Sequence, residues 1–298
     1  MSVGVSSLSV SERFTQFLDN ITLTVAQIDD GKTKRGSVCK VLNAKYWYSN
    51  SETDNSLYVG SWGKYTRIRP PRDLDVLFRL PKSVYDRFQQ RIGNKQSQLL
   101  QEVKDALKAS FPKTDIRGDG PVIKVPFQTF AVELAPAFLL DSGRYYIPIT
   151  TNGGSYKEFD PDAEFNAVKN SNTATNENTR ELIRMMKCWQ GYCSVPLKSF
   201  WIEILAVDFL ATWEHAGHSR VYYDWMVRDF LKFLVNQAGS CVIVPGTYEL
   251  IWLGDDWKSR AETAHSRAIK ACEYESDNNS VMAGIEWQKI FGTDVPLT

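Results

Sequence analysis

The chain has 298 residues, 43% of them hydrophobic and 12% aromatic, enough to bury a sizeable core in one large or two modest domains. Lys plus Arg and Asp plus Glu both number 35, so no global field draws the protein to nucleic acid or to an acidic membrane surface. Five scattered cysteines (Cys39, Cys188, Cys193, Cys241 and Cys272) read as free thiols in a reducing compartment, and neither a leader pattern nor a membrane-length apolar run is present, so the expectation is a cytoplasmic protein without a membrane partner.

Ser9 and Glu12 form a capping-box pattern, and Phe14, Phe17, Leu18, Ile21, Val25 and Ile28 recur at helical spacing, which predicts one helix over the first 30 residues. From about 38 to 162 short β-rich runs surround one long helix, with strands expected near 57–59, 74–78, 122–125, 130–134 and 145–147. The long helix starts after Pro81; Val84, Phe88, Ile92, Leu99, Val103 and Leu107 form its core face, and Gly93 sits in its middle. Residues 166–179, rich in Asn, Ser and Thr and without periodicity, read as a connection between lobes. Helices follow at about 178–190, 198–214, 220–237, 256–274 and 280–290, separated by Gly191, Gly217, the 239–246 region and Asp277-Asn278-Asn279. No internal repeat is seen, and the simplest architecture is an α/β lobe followed by a helical lobe.

The most informative segment runs from Gly60-Ser61 to Asp73-Leu74-Asp75. On a strand Asp73 and Asp75 share one face while Leu74, Val76 and Phe78 share the other, so two carboxylates stand together at the edge of an apolar strand. Such a pair needs positive charge. Arg67, Arg69 and Arg72 could supply it as plain ion-pair partners; a divalent metal handling a nucleoside triphosphate is the sharper alternative. Glu133 is the candidate third charge, because 130–135 alternates and sets it on a face with Ala131 and Ala135, although an edge-strand Glu facing water would look the same. His215 and His218 beside Glu214 lack further ligands for zinc, no phosphate-binding P-loop or nucleophile elbow is present, and three arginines are too few for a long nucleic-acid surface.

An apolar residue, Gly-Ser, about a dozen residues, Asp-x-Asp and a later carboxylate form the signature that this chain shares with the DNA polymerase beta-like nucleotidyltransferases, through Val59-Gly60-Ser61, Asp73-Leu74-Asp75 and Glu133. Within that superfamily it most resembles the bacterial enzymes related to cyclic GMP-AMP synthase, the DncV-like CD-NTases of anti-phage CBASS defence, through Gly-Ser-Trp-Gly-Lys at 60–64, Arg-Pro-Pro-Arg-Asp-Leu-Asp at 69–75 and Trp-Gln-Lys-Ile-Phe-Gly at 287–292. The resemblance implies an α+β, bilobal fold: a catalytic lobe with a mixed β-sheet over 1–165, to which the N-terminal helix belongs while bridging both lobes, and a helical lobe over 166–298.

It further implies a pyrophosphate-releasing synthase of a cyclic di- or trinucleotide. Asp73, Asp75 and Glu133 would hold two Mg²⁺ ions, for which Mn²⁺ could substitute, and Glu133 would accept the attacking hydroxyl's proton. Gly60 and Ser61 would cradle phosphates. Lys187 would touch the triphosphate, Ser199 the same donor, and Phe200 or Trp201 would stack on a base, against the plainer readings of a surface lysine, a helix N-cap serine and core aromatics. The implied small-molecule partners are nucleoside triphosphates: ATP, with GTP or a pyrimidine nucleotide as the other candidates. The tail at 294–298 is a candidate contact for a regulatory protein, or simply a loose terminus. A linear oligoadenylate synthase, an RNA 3′-end nucleotidyltransferase and an inactive nucleotide-binding scaffold are the alternatives.

Overall fold

The expected N-terminal helix is two helices. In the computed structural model, which describes residues 7–298, α1 (Val10–Ile21) begins on the Ser9/Glu12 capping box. A second capping box, Thr24 with Gln27, starts α2 (Val25–Trp47). The Thr24 hydroxyl accepts from the Gln27 amide and offers the backbone an alternative to continued helix, so the apolar periodicity runs on through a break. The part of that expectation falling on 1–6 lies outside the described residues. Residues 38–47, expected within the β-rich region, are helical because Val38, Leu42 and Tyr46 repeat at i, i+4 on a buried face.

β1 (Ser56–Tyr58), α3 (Gly60–Lys64) and β2 (Asp73–Arg79) follow. The Gly-Ser turn is thus the first turn of a short helix. The helix after Pro81 is also two, α4 (Lys82–Gln89) and α5 (Lys95–Ser110): Gly93 adopts a left-handed φ of 85° and Asn94 caps α5 by accepting from the Ser97 amide. The break leaves Ile92, an expected core residue, 94% exposed. Next come β3 (Arg117–Asp119), β4 (Val122–Val125), β5 (Ala131–Leu139), β6 (Tyr145–Ile149) and β7 (Ser155–Phe159), of which β3 and β7 carry too little apolar alternation to be anticipated.

Residues 166–179 are mostly helical rather than an irregular connection. They fill the end of α6 (Pro161–Ala174) and the start of α7 (Asn178–Tyr192) around a turn at 175–177, where the Ser171 and Thr175 hydroxyls both bond that of Thr179. α8 (Ser199–Leu210), a 3₁₀ turn at Arg220–Tyr222, α9 (Tyr223–Gln237), the hairpin β8 (Cys241–Ile243) and β9 (Leu250–Trp252), α10 (Lys258–Ser276) and α11 (Ser280–Phe291) complete the chain. Among the described residues no helix is long and apolar enough to cross a membrane.

Two compact units result. The α/β unit comprises Leu23–Tyr65 and Pro70–Ala163; the helical unit comprises the described residues up to Thr22, Thr66–Arg69 and Glu164–Thr298. In the α/β unit the strand order is β1-β2-β5-β4-β3, with β6 also on β5 and β7 on β6. Among the described residues only β2 and β5 pair in parallel, which makes the sheet mixed. One face of the two central strands presents Leu74, Val76, Phe78, Val132 and Leu134, all fully buried with Val38 and Leu42 of α2 and Leu99, Val103 and Leu107 of α5. Burial of each such side chain contributes about 1.5–3 kcal/mol, so the rigidity of β2 and β5 comes from this apolar face and leaves the other face available for charge.

The helical unit has its own core, in which Phe14 meets Trp287 edge-on at 5.3 Å and Phe17 meets Phe291 at 4.8 Å. Arg13 is fully buried within it. Its guanidinium pairs with Glu275 at 2.8 Å and donates to the carbonyls of Ser280, Pro296 and Leu297. Val295 is buried as well, so the 294–298 tail is docked on the unit rather than loose.

Candidate active site

The register of three strands builds a row of charge on the polar face of the sheet. Asp75 on β2 lies opposite Glu133 on β5, and Glu133 lies opposite Lys124 on β4, while Asp73 sits two residues back against Ala131. Directly paired residues point to the same face, so Lys124, Glu133 and Asp75 stand side by side, with Asp73 on the same face of β2. Small Ala131 and Ala135 flank Glu133 and leave room above the strand.

Lys124 closes the row. Its Nζ is 3.1 Å from Asp73 Oδ1 and 2.9 Å from Glu133 Oε1, with the three side chains 39%, 39% and 23% exposed. Hydrogen bonds to Glu133 and then to Asp73 hold its ammonium well above the usual lysine range. Among the described residues no three His, Cys, Asp or Glu side chains are placed to hold a metal ion together. Asp73 and Glu133 converge on an ammonium instead. The donor set nevertheless fits a hard divalent cation: carboxylate oxygens aligned by strand register, with a positive charge already seated between two of them.

The 59–62 segment is fastened to this row. Val59 donates its amide to the Asp75 carbonyl at 3.1 Å, and the next residue, Gly60, has φ 55°. A Cβ on Gly60 would stand 2.1 Å from Asp75 Oδ2, so the absence of a side chain is what lets this backbone approach the carboxylate. Trp62 is buried, donates Nε1–H to the Asp73 carbonyl at 3.1 Å and lies stacked between Tyr58 and Phe130. Gly31 of α2 makes space for it, since a Cβ there would come within 2.2 Å of the indole. Lys34 of α2 secures the approach to β5: its ammonium pairs with Asp30 at 2.5 Å, accepts nothing, bonds the Thr129 hydroxyl and lies 3.5 Å from the centre of the Phe130 ring. Ser61 follows Gly60 on the first turn of α3.

The other expected site residues lie in the helical unit. Lys187 of α7 is 5% exposed, so it is no surface lysine; its Nζ is 2.5 Å from Glu203 Oε1 of α8 and 2.8 Å from Thr66 Oγ1. Thr66 in turn donates to Glu203 at 2.6 Å. Ser199 is the first residue of α8, not its N-cap, which is Lys198, and its hydroxyl donates to Gln190 Oε1 at 2.8 Å. Phe200 and Trp201 are partly buried against the helical core. His215 and His218 join Tyr222 and Trp225 in an aromatic cluster.

Lys124, Trp62, Thr66 and Glu203 escaped the reading of the sequence. Two carried a signal: Lys124 is the polar member of the alternating strand 122–125, and Glu203 is a lone carboxylate in the apolar run 200–207, where burial demands a partner. Thr66 and the indole hydrogen bond of Trp62 carried none.

The fold is that of a nucleotidyltransferase, an enzyme of the polymerase beta-like class. Residues 8–172, more than half of the chain, match the family described as the Second Messenger Oligonucleotide or Dinucleotide Synthetase (SMODS) domain, and the chain belongs to that family, the group related to cyclic GMP-AMP synthase and DncV. It is 22% identical over 274 residues to a probable cyclic nucleotide synthase of Bacillus cereus strain VD146, covering 80% of this chain and 81% of the relative. Among solved structures it resembles Vibrio cholerae DncV bound to 3′-deoxy GTP, with TM-score 0.71, 14% identity and 95% and 96% of the two chains covered. It also resembles CdnC of E. coli MS115-1 in its complex with HORMA-deltaN, with TM-score 0.67, 17% identity and 96% and 98% covered. At such identities the structural likeness speaks for the fold; the family match carries the class of enzyme.

Proposed function

We propose that this nucleotidyltransferase is Mg²⁺-dependent and joins nucleoside triphosphates into a cyclic di- or trinucleotide second messenger for antiviral, anti-phage defence in the cytoplasm. The observation that carries the reading is the charge row, in which Asp73 and Glu133 close on a cation while Asp75 stands beside Gly60. Asp73 and Asp75 are the residues to hold the ion that grips the donor triphosphate, and Glu133 completes the set for a second. Bound there, the ions would lower the pKa of the attacking ribose hydroxyl and offset charge on the α-phosphoryl group.

The chain's own groups do the rest. Gly60 lets the backbone come close to phosphate oxygens and Ser61 offers them its hydroxyl and amide. Glu133 takes the hydroxyl proton as the ribose oxygen attacks the α-phosphorus and the bond to pyrophosphate breaks. Repetition with the product's own hydroxyl closes the ring. Lys187, Ser199 and Phe200 are assigned to the donor's triphosphate and base; for Lys187 this means exchanging Glu203 for a phosphate oxygen. The HORMA protein in the complex of CdnC supports a regulatory protein partner for this chain as well.

Incubation with all four labelled triphosphates and Mg²⁺ is expected to give pyrophosphate and a phosphatase-resistant product, with none from Asp73→Asn/Asp75→Asn. A phosphatase-sensitive ladder would make the enzyme a linear synthase, and no product under any metal or candidate activator would leave a nucleotide-binding scaffold.

A further inference from the structure

The geometry points to Lys124 as a tethered cation that occupies the place between Asp73 and Glu133 and must leave before those two carboxylates can share a divalent ion. This rests on the reading of Asp73, Asp75 and Glu133 as metal ligands and adds to it an order of binding. An ammonium and a metal ion cannot both sit between the same oxygens, because Mg²⁺ requires oxygens at about 2.0–2.1 Å and keeps near-octahedral geometry. Nζ already lies 3.1 Å and 2.9 Å from those atoms.

Strand register makes the placement structural. Lys124 is directly opposite Glu133 on antiparallel strands, so its stem rises beside the glutamate on the same face and its head reaches across to Asp73. Asp75 lies on the other side of Glu133 and beside Gly60. A first ion using Asp73 and Asp75 with the donor triphosphate can therefore enter while the ammonium keeps Glu133. A second ion needs Glu133, and so needs Lys124 to swing out, which a side chain 39% exposed can do.

Lys124 thus keeps the row from filling with metal in the absence of substrate, and acts as a positioning residue for Asp73 and Glu133 rather than on the reacting atoms.

The test is a Mn²⁺ titration followed by electron paramagnetic resonance, with a non-hydrolysable ATP analogue, on wild type, Lys124→Met, Lys124→Arg and Asp73→Asn. Wild type is expected to bind one ion tightly and a second at least tenfold more weakly. Lys124→Met should tighten the second ion tenfold or more with the first unchanged, and Lys124→Arg should restore the wild-type pattern. Arg117→Met, which removes a charge one strand farther along the same row, should change neither ion. In EDTA, Lys124→Met should melt below wild type, because Asp73 and Glu133 then lose the ammonium between them, and should gain more from added Mn²⁺. Equal tightening of both ions, or no change in either, would overturn the proposal while leaving the metal site intact. Unaltered binding in Asp73→Asn would remove the metal assignment itself, and the proposal with it.

Discussion

Gly60→Ala separates backbone strain from displacement of a carboxylate. Gly60 has φ 55°, so any L side chain there costs about 1–2 kcal/mol of left-handed strain. Gly93 has φ 85°, yet a Cβ there would find its nearest neighbour, the Gln98 amide nitrogen, at an ordinary 3.7 Å. At Gly60 the new Cβ would stand 2.1 Å from Asp75 Oδ2 and 2.8 Å from its Cγ, so the carboxyl must retreat by roughly 1 Å, a misplacement on the scale that costs about 10²-fold in rate. Gly60→Ala and Gly93→Ala should therefore lose similar stability in urea, whereas only Gly60→Ala should lose about 10²-fold in kcat/KM, equivalent to about 2.7 kcal/mol of transition-state stabilisation. The assay is pyrophosphate release at fixed Mg²⁺, on variants whose circular dichroism matches wild type at the assay temperature. If Gly60→Ala works within threefold of Gly93→Ala, the argument that Gly60 makes room for Asp75 is wrong.

Trp62→Phe keeps the ring stack but removes the indole donor to the Asp73 carbonyl, and should cost about 0.5–1.5 kcal/mol in urea unfolding; no measurable loss would mean that the indole bond does not hold the strand. Lys187→Met takes the ammonium away from the buried Glu203 carboxylate and should cost about 3–5 kcal/mol, while Lys187→Met/Glu203→Met should recover most of it. If the double variant is stable and its KM for ATP rises tenfold, Lys187 also meets the triphosphate; an unchanged KM limits it to holding Thr66 against α7 and α8. Burial raises the Asp224 carboxyl to about 6, with Glu275 adding to the shift and Arg228 opposing it. Its folded pKa thus exceeds its unfolded one, so the folded state binds more protons between about 4 and 6, and stability should fall as pH rises through that window, by up to roughly 3 kcal/mol. Asp224→Asn should flatten that slope in urea titrations across pH 4 to 7, and an unchanged slope would assign it elsewhere.

Much of the fold was legible because it rests on local pattern. Alternation gave β2 and the start of β5, and helical periodicity with Gly and Asn breaks gave α7 to α11 within a few residues. The errors share a cause: Thr24 and Asn94 cap new helices inside stretches whose apolar spacing runs straight through, and 166–174 and 178–179 are helical because the hydroxyls of 171–179 find partners in the folded chain.

For the site, the sequence by itself determined which groups are available: Gly60 ahead of Asp73 and Asp75, and Glu133 on an alternating strand, since spacing and face are local properties of a chain. Only the tertiary structure decided what those charges meet. That Glu133 lies between Asp75 and Lys124 depends on strand register between segments distant in sequence, and that Lys187 is sunk against Glu203 and Thr66 depends on how α7 and α8 pack. Charges find partners through space, and the low dielectric of a folded interior makes those partners obligatory.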